Sequence, residues 1–237
     1  GVRLVGSEMC IRDRFPPTKF DYNNLKKDNC LKSKKTFVVG NTITDVLKEY
    51  LPFANKSNVL KKLKLTKKKY FLVTLHRPES VDIKENLSSL LKTLKTLYSK
   101  YNYPIIFPIH PRTKNNMKKL KLSLDDNIKV IEPLEYLEFL KLMKDSKLIL
   151  SDSGGIQEEA SILGVPCVTL RTTTERQITL HRNVNIIAGY NRNKILKAVV
   201  KFHNKKIKKI KDFGNGNVTN KIYKILININ KSRTIKI

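Results

Sequence analysis

The residues best suited to chemistry are Ser151-Asp152-Ser153-Gly154-Gly155, set between the apolar run Lys147-Leu148-Ile149-Leu150 and a helical pattern over 156–163. Ile156, Ala160 and Leu163 stand at i, i+4 and i+7 and form one apolar face. Gly164 offers a left-handed stop to that helix, and Pro166 bars its continuation. A serine and two glycines at a strand-to-helix turn leave backbone N–H groups uncovered at the positive end of a helix dipole. Such a turn suits a phosphate or diphosphate. A plain tight turn with acids in the first helical turn is the alternative, because Gly-rich turns are common.

Further polar residues sit after other apolar runs. His76 and Arg77 follow 70–75, His110 follows 105–107, Glu132-Pro133-Leu134-Glu135 follows 128–131, and the string from Arg171 to Arg176 follows 166–170. Any one of these loops is weak evidence; their coincidence at strand carboxyl ends points to an anionic ligand. Outside residues 1–14 only seven arginines occur, and Arg77, Arg171 and Arg176 lie in these loops. A guanidinium grips phosphate oxygens bidentately, which Lys cannot do. The alternative is that Glu175 and Arg176 merely pair with neighbours. Phe139, one turn into a helix starting near Tyr136, could stack on a base, although packing beside Leu140 and Met143 is the commoner fate of such a ring.

The elements that must hold these residues alternate. Strands are expected at 36–39, 70–75, 105–107, 128–131, 147–150, 166–170 and 184–188, and helices at 42–50, 85–98, 113–120, 136–143, 156–163, 191–203 and 218–229. Short apolar strands, each followed by an amphipathic helix, predict an α/β fold with a doubly wound, Rossmann-like parallel sheet.

The 237 residues carry a formal charge of +28, which raises the question of nucleic acid. Of the 48 basic residues 38 are lysines, scattered over polar faces and loops, and no zinc-finger, helix-turn-helix or aromatic ribonucleoprotein signature occurs. A solvated lysine surface is the favoured reading, with no specific nucleic acid partner. No run approaches a membrane span, and no signal-peptide core opens the chain. Cys10, Cys30 and Cys167 form neither a C-x-x-C pair nor a metal spacing. This favours a reducing, cytoplasmic setting without disulfides or a metal.

Residues 1–14 hold three arginines and no lysine and read as a non-native leader, of the kind left by translated sequencing-adapter read-through. A short natural strand and turn is the alternative. Residues 15–35 read as an irregular connection, 36–212 as the α/β domain, and 213–237 as a Gly214-x-Gly216 turn followed by a last helix.

Several strings together resemble the non-hydrolysing UDP-N-acetylglucosamine 2-epimerases, which have a two-domain fold of the glycosyltransferase-B type. They are FPPTKF (15–20), VVGNTITDVL (38–47), VTLHRPESVD (73–82), FPIHPRTK (107–114), IEPLEYLEFLKLM (131–143), SDSGGIQEEASILGVPCVTLR (151–171), TTER (173–176) and FGNG (213–216). HRPES and HPRTK are closer to the archaeal-type branch than to the enterobacterial one. The resemblance implies a C-terminal, UDP-binding half. Phe139 would stack on uracil, whose edge is read by backbone near Leu134, and Glu159 would accept the ribose hydroxyls. His76, Arg77, Ser153, the amides of Gly154 and Gly155, and Arg176 would hold the diphosphate, with His76 also catalytic. His110 and Arg171 would be additional anion or allosteric contacts. The reaction implied is elimination and re-addition of UDP, interconverting UDP-GlcNAc and UDP-ManNAc in a homodimer, with no nicotinamide or metal cofactor. A hydrolysing 2-epimerase and a glycosyltransferase of the same fold are the alternatives among enzymes; a basic nucleic-acid-binding protein is the remote one.

This sequence also departs from the family. The strings that carry the resemblance begin at Phe15, so the family's N-terminal domain, with its Gly-Thr-Arg-Pro-Glu opening and its carboxylates, is expected to be missing here, and the last helix is expected to pack toward it. Leu75 stands where a small residue is common, Gln177 and Ile178 where Pro-Glu is, and Asn215 where Asp is.

Overall fold

A computed structural model of the chain describes residues 13–27, 35–203, 205 and 207–234. In chain order the strands and helices are β1 (Asp13–Arg14), α1 (Lys19–Lys27), β2 (Lys35–Thr36), α2 (Ile43–Lys56), α3 (Val59–Lys62), β3 (Phe71–Thr74), α4 (Pro78–Val81) and α5 (Lys84–Tyr101). There follow β4 (Ile105–Pro108), α6 (Pro111–Lys119), β5 (Ile128–Ile131), α7 (Tyr136–Asp145), β6 (Leu148–Ser151), α8 (Gly154–Leu163) and β7 (Cys167–Thr169). The last are α9 (Gln177–His181), β8 (Asn185–Ile187), α10 (Arg192–His203) and α11 (Val218–Thr234). The chain divides into two compact units, Gly1–Glu49 with Lys211–Ile237 and Tyr50–Ile210. Among the described residues no helix is long and apolar enough to cross a membrane.

The larger unit holds a six-stranded sheet, every ladder of which is parallel, in the order β5-β4-β3-β6-β7-β8. The chain winds outward through β3, β4 and β5, then returns to the middle and winds the other way through β6, β7 and β8. This is the doubly wound Rossmann order, and its switch point lies between β3 and β6. The central strands are apolar throughout because helices cover both faces: Leu72, Ile149 and Val168 are all fully buried. Strand β5 occupies an edge, which explains why Lys129 and Val130 are exposed there. Helix α8 ends at Gly164, whose φ of 75° is left-handed, while Val165 N–H donates to the Ala160 carbonyl at 2.9 Å.

Three details differ from the sequence expectation. The strand expected at 36–39 is shorter and lies outside the large sheet, because Lys35–Thr36 pairs in parallel with Asp13–Arg14. That partner runs into Pro16 and Pro17, which have no N–H to continue a ladder. Helix α1 occupies part of the segment expected to be irregular. It buries no residue, but its start is tied by a Thr–Asp pair three residues apart. Thr18 Oγ1 accepts from Asp21 N–H at 3.1 Å and donates to the Asp21 carboxylate at 2.6 Å. Short helices α3, α4 and α9 also appear in expected loops; α4 opens on Pro78 in its first turn. Residues 1–12, most of the expected leader, lie outside the described residues.

In the smaller unit, Asp45 caps α11 by accepting from Val218 N–H at 2.9 Å and Thr219 N–H at 2.7 Å. Partial burial works against that carboxylate, but the two backbone donors prevail and lower its pKa. Gly40, with φ +108°, lets the VVGN segment meet the FGNG turn: a Cβ there would sit 2.6 Å from both the Phe213 oxygen and Val218 Cγ2. Gly40→Ala is therefore expected to cost roughly 1–3 kcal/mol, from backbone strain and a clash with main chain. Urea unfolding measures this, and an unchanged midpoint would show that the Phe213 turn moves aside freely.

Candidate functional site

All the sheet strands are parallel, so their carboxyl ends, and the loops expected to carry chemistry, emerge on one rim. At the switch point, loops from β3 and β6 are locked together by Asp152. Its Oδ2 accepts from the backbone N–H of both His76 and Arg77 at 2.9 Å, and its Oδ1 lies 3.1 Å from His76 Nδ1. Beneath the loop, Thr74 and Ser151 hydroxyls meet at 2.7 Å, and Ser151 Oγ accepts from Ser153 N–H at 3.0 Å. Asp152 is 0% exposed. Burial by itself would raise its pKa, but the His76 side chain and the Arg77 and His76 amides outweigh it and hold the carboxyl below its usual range. Because Nδ1 faces Asp152, the Nε2 edge of His76 is left for the rim, and the His76 side chain is 36% exposed.

Ser153 is the N-cap residue of α8, yet its side chain makes no capping hydrogen bond. The hydroxyl and the first amides of the helix thus share one mouth. Gly154 and Gly155 have no left-handed φ. A Cβ on Gly154 would meet only the Arg176 guanidinium, at 3.9–4.0 Å, and one on Gly155 would meet nothing within 4 Å. The fold has room for side chains at both positions. Gly155 is exposed and Gly154 is buried, and neither carries a Cβ that would stand between its amide and an approaching anion.

Arg176 lies over this turn and pairs with Glu158, Nε to Oε1 at 2.6 Å. Its loop is anchored from below by a buried polar network. Gln157 Oε1 accepts from Thr174 Oγ1 at 2.6 Å and from Asn185 Nδ2 at 3.0 Å, and Asn185 Oδ1 accepts from Thr169 Oγ1 at 2.8 Å. Thr179 Oγ1 accepts from Asn185 at 3.1 Å and donates to the Arg176 carbonyl at 2.6 Å. The network spans α8, β7, β8 and the TTER loop, so the guanidinium is placed by satisfied buried groups.

One turn further along α8, Glu159 is 9% exposed and accepts a hydrogen bond from Tyr136 OH at 3.3 Å. Burial pushes its carboxyl up to about 7 against the opposing Tyr136 bond, and Glu158 nearby adds to the rise. Tyr136 opens α7, the helix that also carries Phe139. Leu140 and Met143 fill the core beside it, whereas Phe139 stays half-buried, as does Leu134 in the preceding loop.

Of the remaining candidates, His110 has its ring centroid 5.6 Å from that of His76, and its Nδ1 accepts Arg112 N–H at 3.1 Å to cap α6. Arg171 is 7% exposed and grips Glu175 through two bonds of 2.9 and 3.1 Å, with Glu79 at 3.9 Å. Its guanidinium is committed to the loop. The Arg77 Nε is buried with no hydrogen-bond partner among the described residues. Among those residues, no group of three or more His, Cys, Asp or Glu side chains is arranged to hold a metal ion. Sequence reading gives Gln157, Asn185 and Tyr136 no place in the site, and it includes Asp152 only as a member of the Ser-Asp-Ser-Gly-Gly string, without the locking role that the structure shows.

Residues 6–227 match the family model described as UDP-N-acetylglucosamine 2-epimerase. The chain belongs to that family. Its relatives include the UDP-N-acetylglucosamine 2-epimerase of Methanocaldococcus jannaschii, 44% identical over 219 residues that make up 90% of this chain and 60% of that protein. A crystal structure of the M. jannaschii UDP-GlcNAc 2-epimerase in complex with UDP-GlcNAc and UDP superposes with a TM-score of 0.82 at 45% identity, again over 90% of this chain and 60% of that one. The Neisseria meningitidis UDP-GlcNAc 2-epimerase, solved with UDP-GlcNAc bound, gives 0.78 at 28% identity, over 94% of this chain and 63% of that one. The higher identity to the archaeal protein agrees with the archaeal cast of HRPES and HPRTK. The chain spans about three-fifths of the length of the curated relatives it matches first. For this epimerase-family chain, the Rossmann-like sheet and its switch-point loops are the part of the glycosyltransferase-B-type fold in view.

The raised carboxyl of Glu159 has a consequence for stability. Its folded value of about 7 lies above the ordinary 4.5. The unfolded chain therefore releases this proton first, and folding stability declines as pH rises from about 4.5 to 7. Linkage sets the loss at roughly 3 kcal/mol at most. Glu159→Gln removes that dependence, so the variant should gain stability over the parent at pH 8 and little at pH 4. Melting temperatures across this range test it, and an equal effect at both ends would contradict the assignment.

Proposed function

We propose that this chain carries the UDP-binding part of an enzyme that interconverts UDP-GlcNAc and UDP-ManNAc. The bare glycine turn is the observation that carries the reading, since packing requires glycine at neither position. Beside it stand Ser153 and Arg176, donors matched to a diphosphate, and Arg77 follows His76 on the facing loop, its amide bonded to Asp152. His76 completes the set from the other side of the switch point. Phe139 takes the uracil on its open face, backbone at Leu134 reads the base edge, and Glu159 accepts the ribose diol.

In this reading a base removes the C2 proton of the sugar, and the C1–O bond breaks with its electron pair passing to the departing UDP. The sugar is left as 2-acetamidoglucal. A proton then reaches C2 on the opposite face, and a UDP oxygen closes again on C1. Negative charge grows on the diphosphate as C1–O breaks, where the α8 amides, Ser153 and Arg176 stabilise it. The same donors retain UDP for its return. His76, oriented by Asp152, is the titratable group nearest the reaction; Asp152 and Glu158 are committed to His76 and Arg176. The other acid–base groups lie, in this reading, in the portion of the relatives that this chain does not match. The whole enzyme is taken to be a cytoplasmic homodimer that uses no metal, nicotinamide or nucleic acid.

Gly155→Ala separates the site from the scaffold. It should leave the unfolding midpoint unchanged or higher, because alanine favours a helix over glycine by about 1 kcal/mol, while weakening UDP binding measured by calorimetry. Equal, salt-sensitive binding of UDP, ATP and RNA by the parent chain would overturn the nucleotide reading.

For the reaction, deuterium exchange at C2 of UDP-GlcNAc is the direct assay. The chain alone should show none. A fusion of the unmatched portion of the M. jannaschii relative upstream of Phe15 should exchange, and His76→Ala in that fusion should greatly slow it. Exchange by the chain alone would refute this division of labour, and release of free N-acetylmannosamine by the fusion would favour the hydrolysing alternative.

A further inference from the structure

Tyr136 belongs to the loop and helix assigned to the base, yet its hydroxyl reaches the carboxylate assigned to the ribose. It follows the N-cap Glu135 as the first residue of α7, three positions before Phe139. Its OH donates to Glu159 Oε1 across to α8. The ring is itself held, since Tyr50 of α2 meets it edge to face at a centroid separation of 6.1 Å and 85°. A chain of contacts therefore runs from α2 through α7 to α8, ending on one carboxylate oxygen.

We propose that Tyr136 is a positioning residue that anchors Oε1 of Glu159, directing the free lone pairs of the carboxylate to the 2′- and 3′-hydroxyls of a ribonucleoside diphosphate. The inference rests on the nucleotide reading above. A carboxylate accepts about four hydrogen bonds, so one bond from Tyr136 leaves enough capacity for a diol. Without the hydroxyl the Glu159 side chain regains rotamer freedom, and the ionised form loses a donor that stabilises it. Glu159 and Tyr136 face each other in a small set of ionisable groups. Glu158 adjoins Glu159 on α8 and is paired with Arg176, and Tyr50 backs Tyr136 from α2. Burial of Glu159 already favours its neutral form, and the Tyr136 bond opposes that. The tyrosine therefore has two separable effects, one on geometry and one on the pH at which the carboxyl ionises.

Tyr136→Phe tests both effects while keeping the ring against Tyr50. In calorimetry on the full 237-residue chain, the variant should bind UDP about 3- to 10-fold more weakly, the worth of one hydrogen bond. Its affinity for 2′-deoxy-UDP should change much less. Carbon-13 NMR of the Glu159 carboxyl, with no ligand present, should show a titration midpoint higher than in the parent. Combining Tyr136→Phe with Glu159→Gln should weaken UDP no further than Glu159→Gln alone. If Glu159→Gln abolishes preference for UDP over its 2′-deoxy form while Tyr136→Phe leaves the preference and the carboxyl midpoint unmoved, this inference is overturned and the nucleotide reading stands. If the folded parent shows no preference for UDP over 2′-deoxy-UDP, both fall together.

Discussion

A buried carboxylate sits where the sheet reverses direction. Asp152 takes two backbone N–H bonds and the imidazole of His76 from a strand end 75 residues away in sequence. An isolated charge at that depth would be driven to neutralise, yet these donors keep it ionised. The reversal of winding opens the crevice, and Asp152 determines which groups stand at its lip. Removing it would leave two amides and a histidine nitrogen without their acceptor at the same point.

Helix α8 carries two different polar groupings in successive turns. Its first turn sets the Gly154-Gly155 pair beside the Arg176 guanidinium, and its second presents Glu159 to Tyr136. The helix can serve both because its buried face is polar as well as apolar. Gln157 points into the protein and holds the Arg176 loop through Thr174 and Asn185. A leucine there would fill the space but leave those two donors without an acceptor, at a cost of order 1–3 kcal/mol each. The rim of strand-end loops and the core are thus joined through amide and hydroxyl groups.

The sheet is legible from sequence because its strands are short and mostly apolar, with Lys129 in edge strand β5 and Asn185 in β8 as polar exceptions. The strand at 128–131 was predicted to the residue, and the helix after Leu150 was identified by its spacing and its stop at Gly164. Helix α1 escaped because it buries nothing, although Thr18 and Asp21 wrote its start. The strand at 36–39 was overestimated because its pairing depends on a partner segment rich in proline. For the site, the residue types and strand ends pointed to one rim. The contacts that set side-chain directions, such as Tyr136 with Glu159 and Gln157 with Asn185, join residues 23 and 28 positions apart and follow no local pattern. Arg171 turns its guanidinium to Glu175, four residues on, a pairing that residue type alone does not reveal.

The Thr174–Gln157–Asn185 network also bears on how a ligand would be met. Loops that carry binding groups commonly lose conformational freedom when they close on a ligand, and that ordering subtracts from affinity. Here the loop bearing Arg176 is bonded into two strands and a helix before any ligand arrives, and the turn bearing Ser153 is tied to Ser151. The entropy of fixing these donors is spent when the chain folds. Binding at this rim should therefore resemble docking to a rigid template, with association governed by charge and access rather than by loop closure.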